Sequence, residues 1–230
     1  MAEPLGVGKS AFAVYTTDLG AKLVMDLQTA QYYQANARSC VLRYERAEVG
    51  RLHALLRHLT QPGCRILDIG GGSGRDAAFL ATVGCQVTYT DGCEDMVRAA
   101  LERHPSLNEH ARVAAFPLTP GDPLLSEQFD LVLCVALVMH LDDSDFRAAV
   151  AQMEHLTAAG GCAVVSYSAG RTGLLGFRDR AGRLFRERPD EDVISVFSLA
   201  GLIPECYDIQ EDALRRLKLR WTTRVFRKSP

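Results

Sequence analysis

Six residues in one short stretch, and an acid just beyond it, have the spacing of a ligand cradle. Asp68 lies in the apolar run Arg65-Ile66-Leu67-Asp68-Ile69. Glycines follow as Gly70-x-Gly72-x-Gly74, and then Arg75 and Asp76. Asp91 closes the next apolar run, Gln86-Val87-Thr88-Tyr89-Thr90, and Gly92 follows it. A strand that ends in glycines lets the backbone approach a ligand with no Cβ in the way. A carboxylate beside it can accept two hydrogen bonds at once, as a pair of hydroxyls would require. A dinucleotide turn needs a small residue three positions after Gly72, where this chain has Arg75. A phosphate loop needs Gly-x4-Gly-Lys-Ser/Thr between strand and helix. Gly6-Val7-Gly8-Lys9-Ser10 imitates it, but position 3 is Glu3 and no strand precedes it. Plainer roles stand beside these: Asp68 can cap the glycine turn, and Asp91 the helix that follows.

The elements that must position these residues are readable from pattern. Strands are expected at 64–69, 86–90, 112–115, 129–136 and 161–167, with extended segments at 205–210 and 220–227. Helices are expected at 11–39, 41–59, 74–83, 94–103, 143–158 and 190–200. Gln61-Pro62-Gly63 stops the second helix. Alternating strands and helices with short connections imply a parallel sheet covered on both faces. Asp130-Leu131-Val132-Leu133-Cys134-Val135-Ala136 is apolar after its first residue, as a central parallel strand should be. In such sheets ligands sit at the carboxyl ends of the strands, where Asp68 and Asp91 fall. Residues 168–189 form a long Gly- and Arg-rich loop, a length that points to a functional segment.

Ile66 to Asp76 resembles the first motif of the class I S-adenosylmethionine (SAM) dependent methyltransferases, with Gly71 where many members carry Cys. Asp91-Gly92-Cys93-Glu94-Asp95-Met96 is similar to their D-x-S-x-x-M segment. Phe129-Asp130-Leu131-Val132 resembles the start of their fourth strand, and Ala158-Ala159-Gly160-Gly161 the turn before the fifth. The resemblance covers most of the chain. It implies an α/β, Rossmann-like, doubly wound sheet of seven strands in the order 3-2-1-4-5-7-6, strand 7 antiparallel. It also implies an N-terminal helical lid over 1–60 and a SAM-binding domain over 61–230, in one compact whole. SAM would be the methyl donor and S-adenosylhomocysteine (SAH) the product. Asp68, Gly70, Gly72, Gly74, Asp76, Asp91, Gly92, Met96, Cys134 and, from the lid, Tyr33 would contact SAM. Many members place an acid after strand 3 for the adenine amino group. Here Ala114-Ala115-Phe116-Pro117-Leu118-Thr119 offers none, which leaves backbone groups or the Thr119 hydroxyl.

In-line methyl transfer from a cationic sulfur needs positioning above all. A base helps only where the acceptor has a proton to lose. His140, after the fourth strand, is the leading candidate base, since its ordinary pKa suits the task. Tyr167, near the end of the fifth, is the second. The other five histidines read as solvated helix residues. Arg171, Arg178, Arg180, Arg183 and Arg186 can clamp an anion, with Arg171 and Arg183 assigned to the acceptor. The competing reading is an ordinary solvated loop.

Bulk properties narrow the rest. With 230 residues there is room for one full α/β core. Net charge of -2 gives no global reason to bind nucleic acid or membranes. The longest apolar run, Leu131 to Met139, is far short of a membrane span. The first residues carry no cationic start and no apolar segment, so a secretory signal is not expected. Seven cysteines, none as Cys-x-x-Cys, argue for a reducing cytoplasm and against a metal site. The expectation is a cytoplasmic enzyme, monomer or homodimer, that methylates a small molecule. RNA or protein methylation, or SAM binding without transfer, are the alternatives.

Overall fold

The computed structural model describes residues 26–230. The phosphate-loop imitation at Gly6 to Ser10, and the expected helical residues 11–25, lie outside the described residues. Helix α1 (Leu27–Glu45) and helix α2 (Gly50–Leu59) precede the sheet. The sheet strands are β1 (Arg65–Ile69), β2 (Gln86–Asp91), β3 (Ala111–Val113), β4 (Phe129–Val135), β5 (Thr157–Ala169), β6 (Leu202–Glu211) and β7 (Arg220–Lys228). Helices α3 (Arg75–Thr82), α4 (Glu94–Arg103), α5 (Asp143–Leu156) and α6 (Asp190–Leu199) connect them.

The strands run in the order β3-β2-β1-β4-β5-β7-β6, as expected. The first five pair in parallel, and β7 is antiparallel to both its neighbours. Side chains of a strand alternate between faces, and both faces are covered. Leu67, Ile69, Val132, Cys134, Ala163 and Val165 pack on one side, with residues of α5 and α6. Ile66, Leu131, Leu133, Cys162 and Val164 pack on the other, with residues of α2 and α3. The register sets Asp68 opposite Tyr89 and Leu133, and brings Asp91 one step beyond the Ile69–Thr90 pair. Both acids thus stand at the carboxyl edge.

Three boundaries differ from expectation. No helix starts at 41. Helix α1 runs on to Glu45, because Ala37, Cys40 and Val41 bury one face against Cys93, Met96 and Ala99 of the α4 region. The expected strand at 161–167 begins at Thr157. The Thr157 hydroxyl donates to the Met153 carbonyl at 2.6 Å, and its extended backbone ends α5 at Leu156. A register shift between Phe129 and Leu131 then lets β5 pair from its first residue. The sixth strand starts at Leu202, three residues early. Among the described residues no helix is long and apolar enough to cross a membrane.

Candidate active site

The glycine turn is built so that the backbone folds tightly around two acids. Gly70, Gly72 and Gly74 all have positive φ, at 64°, 58° and 76°. Gly71 is needed for space. A Cβ there would lie 2.7 Å from the Tyr89 ring and closer still to Asp68 Oδ2. The Gly71 N–H donates to the Thr90 carbonyl at 2.9 Å, tying the turn to β2. Asp91 accepts from the Gly72 N–H at 3.1 Å through Oδ2 and from the Cys93 N–H at 2.9 Å through Oδ1. Each oxygen keeps a second lone pair for a ligand. Burial pushes the Asp91 carboxyl up to about 6, against the pull of those two N–H groups.

Asp68 is the more telling acid. It is 1% exposed, and its Oδ2 has no hydrogen-bond partner. Burial pushes its pKa well above the ordinary range, and the charges of Asp76 and Asp91 add to this. Buried polar atoms are nearly always satisfied, so an orphaned carboxylate oxygen facing a cavity marks a place for a cationic donor.

That cavity, of about 220 Å³, runs along the carboxyl edge of the sheet. Asp68, Gly70, Gly72, Asp76, Asp91, Gly92, Met96, Tyr33, His140, Arg171 and Arg183 all line it. The structure therefore brings together most of the residues singled out in the sequence. Asp76 is the one already committed elsewhere. It accepts from His53 Nε2 at 2.8 Å and from Arg75 Nε at 3.0 Å. Burial opposes the charge, but these two partners hold its pKa down at about 2. His53, expected on a solvated face, instead stacks on Phe79 with ring centroids 3.9 Å apart. Arg75 also donates to the Tyr44 carbonyl at 2.7 Å, clipping the end of α1 over the glycine turn.

Four expected residues stand apart from the cavity lining: Thr119, Cys134, Tyr167 and Gly74, which caps α3 and faces Leu107 and Ala100. Gln152 of α5 pins the Leu118 N–H and carbonyl, at 2.6 and 2.8 Å, and the Thr119 carbonyl closes a turn with Asp122. The lining there comes instead from Ala114, Ala115 and Phe116. Cys134 points into the apolar layer that includes residues of α5 and α6, so Val135 and Ala136 line the cavity in its place. Tyr167 points to that same layer, and its hydroxyl donates to Asp190, which Arg224 also pairs with. Its neighbour Ser166, on the opposite face of β5, is the one that lines the cavity. Tyr167 is thus a structural group at the start of α6 and not a catalytic one.

At the other end, His140 closes a 3₁₀ turn, Val138–His140, after β4. Its Nδ1 lies 2.6 Å from the Leu184 carbonyl and its Nε2 3.0 Å from the Tyr33 hydroxyl. A carbonyl only accepts, so Nδ1 carries the proton and Nε2 accepts from Tyr33. Burial holds the imidazole down at about 4, and the Arg183 and Arg171 charges work in the same direction. Burial likewise pushes the Tyr33 phenol well above its ordinary value. The Tyr44 hydroxyl stands 3.5 Å behind it.

The 170–189 segment is folded over this end. Arg178 pairs with Asp26, the N-cap of α1, through contacts of 2.9 and 2.7 Å. The Leu184 N–H donates to Thr29 Oγ1 at 2.9 Å, and the Arg186 N–H to the Met139 carbonyl at 2.8 Å. Arg188 donates to the Val138 and Leu141 carbonyls, at 3.0 and 2.9 Å. Arg178 and Arg186, expected to face an anion, are spent on these closures. The loop thereby delivers Arg183 and Phe185 to the cavity. Sequence reasoning missed Phe185, Arg216, Trp221 and Thr223, which also line it.

Residues 66–161 match the family model of a methyltransferase domain. The chain is 32% identical over 96 residues to a ubiquinone biosynthesis O-methyltransferase of Xanthomonas campestris, covering 40% of this chain and 39% of that one. It thus spans about two fifths of the length of that curated relative. Among solved structures it is similar to 1,6-didemethyltoxoflavin-N1-methyltransferase of Burkholderia thailandensis, with TM-score 0.61, 22% identity and coverage of 91% and 95% of the two chains. It is also similar to magnesium protoporphyrin IX methyltransferase of Synechocystis, with TM-score 0.65, 16% identity and coverage of 89% and 100%. In its strand order, its glycine turn with two acids and the matched segment, this chain is similar to the class I SAM-dependent methyltransferases.

Proposed function

We infer that this protein transfers a methyl group from SAM to a small-molecule acceptor. The observation that carries the reading is the unpartnered Asp68 Oδ2 at the glycine turn. It suits the α-amino group of SAM, a cation that would satisfy the oxygen and return the carboxyl to its charged form. Asp91 would hold the ribose hydroxyls, and Met96, Ala115 and Phe116 the adenine. When bound, SAM supplies a methyl group already activated on a cationic sulfur.

The chain's own contribution is to position the acceptor and to handle its proton. Tyr33 gives its hydrogen to His140 Nε2 and accepts from the Tyr44 hydroxyl, which leaves one lone pair of its oxygen for an acceptor N–H or O–H. His140 is a positioning residue in this arrangement. A proton leaving the acceptor goes to the Tyr33 oxygen as the Tyr33 proton passes to Nε2. Direct abstraction by His140, the simplest form of a base, would first require Tyr33 to move aside.

A small acceptor is supported by the lining, to which α1, the 170–189 segment and residues 210–216 all contribute. A reducing, cytoplasmic setting is supported by seven unbridged cysteines. Calorimetric titration with SAH tests the donor. Tight binding is expected, with protons released as Asp68 ionises, so the measured heat should vary with the buffer's ionisation enthalpy. Unmeasurable binding of both SAM and SAH sinks the reading. A metabolite screen with methyl-labelled SAM then finds the acceptor.

A further inference from the structure

Four arginines line the cavity: Arg75, Arg171, Arg183 and Arg216. Three have carboxylate partners. Arg75 pairs with Asp76, Arg183 with Asp179 at 2.6 Å, and Arg216 with Asp212 at 2.5 Å. Among the described residues no carboxylate pairs with the Arg171 guanidinium, and its Nε is buried with no partner at all. Glu187 accepts instead from the Arg171 backbone N–H at 2.6 Å. The guanidinium lies over the Phe185 ring, 3.7 Å from its centroid. The same ring meets His140 edge-on, with centroids 4.7 Å apart. Gly170 fixes the approach of this residue: its φ is +86°, and a Cβ there would strike the Lys218 carbonyl.

A guanidinium held flat on an aromatic ring keeps its N–H edge open for a planar, bidentate acceptor. A half-buried cation without a counter-charge is costly unless a ligand supplies one. The other three arginines of the lining are held in ion pairs, so Arg171 is the cavity arginine whose guanidinium has no ion-pair partner among the described residues. We propose that the methyl acceptor is a monoanion whose carboxylate seats on Arg171. The Phe185 ring then separates the anchored carboxylate from the Tyr33–His140 pair, where the atom to be methylated would lie. A dianionic phosphate would bring a second negative charge close to Glu187 and Glu211. The proposal rests on the methyltransferase reading above and adds the chemical class of its acceptor.

Trp221 is the single tryptophan of the chain, lines the cavity and donates to Asp212 at 2.8 Å. Its fluorescence therefore reports on this end directly. The SAH-loaded protein is titrated with benzoate, with neutral benzamide and with inorganic phosphate. Benzoate should change the Trp221 emission saturably and bind about tenfold or more tightly than either of the others, the equivalent of about 1.4 kcal/mol. Arg171→Met should erase that preference while SAH affinity stays within about twofold, which also shows that the variant is folded. Arg171→Lys should keep part of it. Absence of saturable benzoate binding, equal binding of benzamide, or an unchanged preference in Arg171→Met overturns the proposal. Phosphate binding as tight as benzoate overturns the monoanion. Loss of SAH binding in Arg171→Met, beside a wild type that binds it, would assign the guanidinium to the donor's carboxylate instead. Failure of the wild type to bind SAH strikes the methyltransferase reading itself.

Discussion

The two ends of the cavity are built by opposite strategies. The donor end is a contiguous backbone device. Residues 68–76 and 91–96 supply it, and its glycines, N–H groups and two acids are fixed by the β1–β2 register. The acceptor end is a side-chain assembly. Tyr33, His140, Arg171, Phe185 and Trp221 come from five separate places in the chain and meet only through tertiary contacts. A backbone device has little tolerance and little variety. A side-chain assembly can be altered one residue at a time, which suits the part of the site that must differ between acceptors. The difference predicts that substitutions at the donor end weaken SAH binding, whereas those at the acceptor end change turnover and preference.

The sharpest way to break the comparison is Gly71→Ala. Its Cβ cannot fit between Asp68 and the Tyr89 ring without moving one of them. Overpacking of this kind costs about 1–3 kcal/mol, so SAH affinity should fall by about a hundredfold in calorimetry. Gly72→Ala is the control. Its Cβ would meet nothing closer than 3.6 Å, and only the φ of 58° opposes it. It should cost about 1–2 kcal/mol. Equal, mild losses for both would show that the turn is less tightly built than its geometry implies.

The acceptor end should show itself first through pH. His140 is held at about 4 in the folded protein, against an ordinary 6.5. As pH falls through that window the unfolded chain takes up the proton first. The contribution of this group to stability is therefore complete above about 6.5 and lost as pH falls toward 4, up to about 3 kcal/mol. Chemical denaturation across that range checks the loss. An NMR titration in which the His140 ring protonates near 6.5 would contradict the burial argument. Tyr33→Phe then removes the hydroxyl between His140 and the acceptor. Turnover on an identified acceptor should fall about 10²-fold, with SAH affinity unchanged. The opposite split would return Tyr33 to the donor end, where the family resemblance puts it.

This contrast also explains how much was legible in the sequence. The glycine turn and Asp91 could be read because each depends on residues close together in sequence, and the seven-strand order followed from the family resemblance that those residues carry. The acceptor end could be read only in part. His140 was found because it follows a recognisable apolar strand. Ser166 was missed and Tyr167 chosen, because a shift of one residue in a strand exchanges its two faces. Nothing local marks Phe185 or Trp221, which reach the cavity through the closures at Asp26, Thr29 and Met139 and through the β6–β7 hairpin. Of the loop arginines, only the structure shows that Arg178 and Arg186 are closures and that Arg171 is free of an ion pair. The α1 boundary was misplaced because burial against α4 decided it, over local pattern.

Asp91 offers a graded test between these extremes. Asp91→Asn keeps the size but removes the charge and one acceptor. Hydrogen bonds to a charged group contribute about 1.5–3 kcal/mol, so SAH affinity should fall about tenfold or more. In the wild type the Asp91 carboxyl sits at about 6. SAH affinity should therefore weaken as pH falls through 6, as the carboxylate is lost, and Asp91→Asn should remove that part of the dependence and leave the part that comes from Asp68. A slope unchanged in the variant would place the group that titrates near 6 elsewhere.

The smallest effect is expected from Tyr167→Phe, and it bears most directly on the boundary of the site. The Tyr167 hydroxyl reaches Asp190, and Arg224 already pairs with that carboxylate. Removing the hydroxyl leaves Asp190 with a charged partner, so the loss should be that of one hydrogen bond, about 1 kcal/mol in thermal or chemical unfolding. The ring stays in its apolar layer beneath α6, and the cavity-facing side of β5 is unchanged. SAH affinity, benzoate preference and turnover should all match the wild type. A drop in turnover at unchanged stability would carry the acceptor end through the sheet to its other face, and the division between the two ends would have to be redrawn.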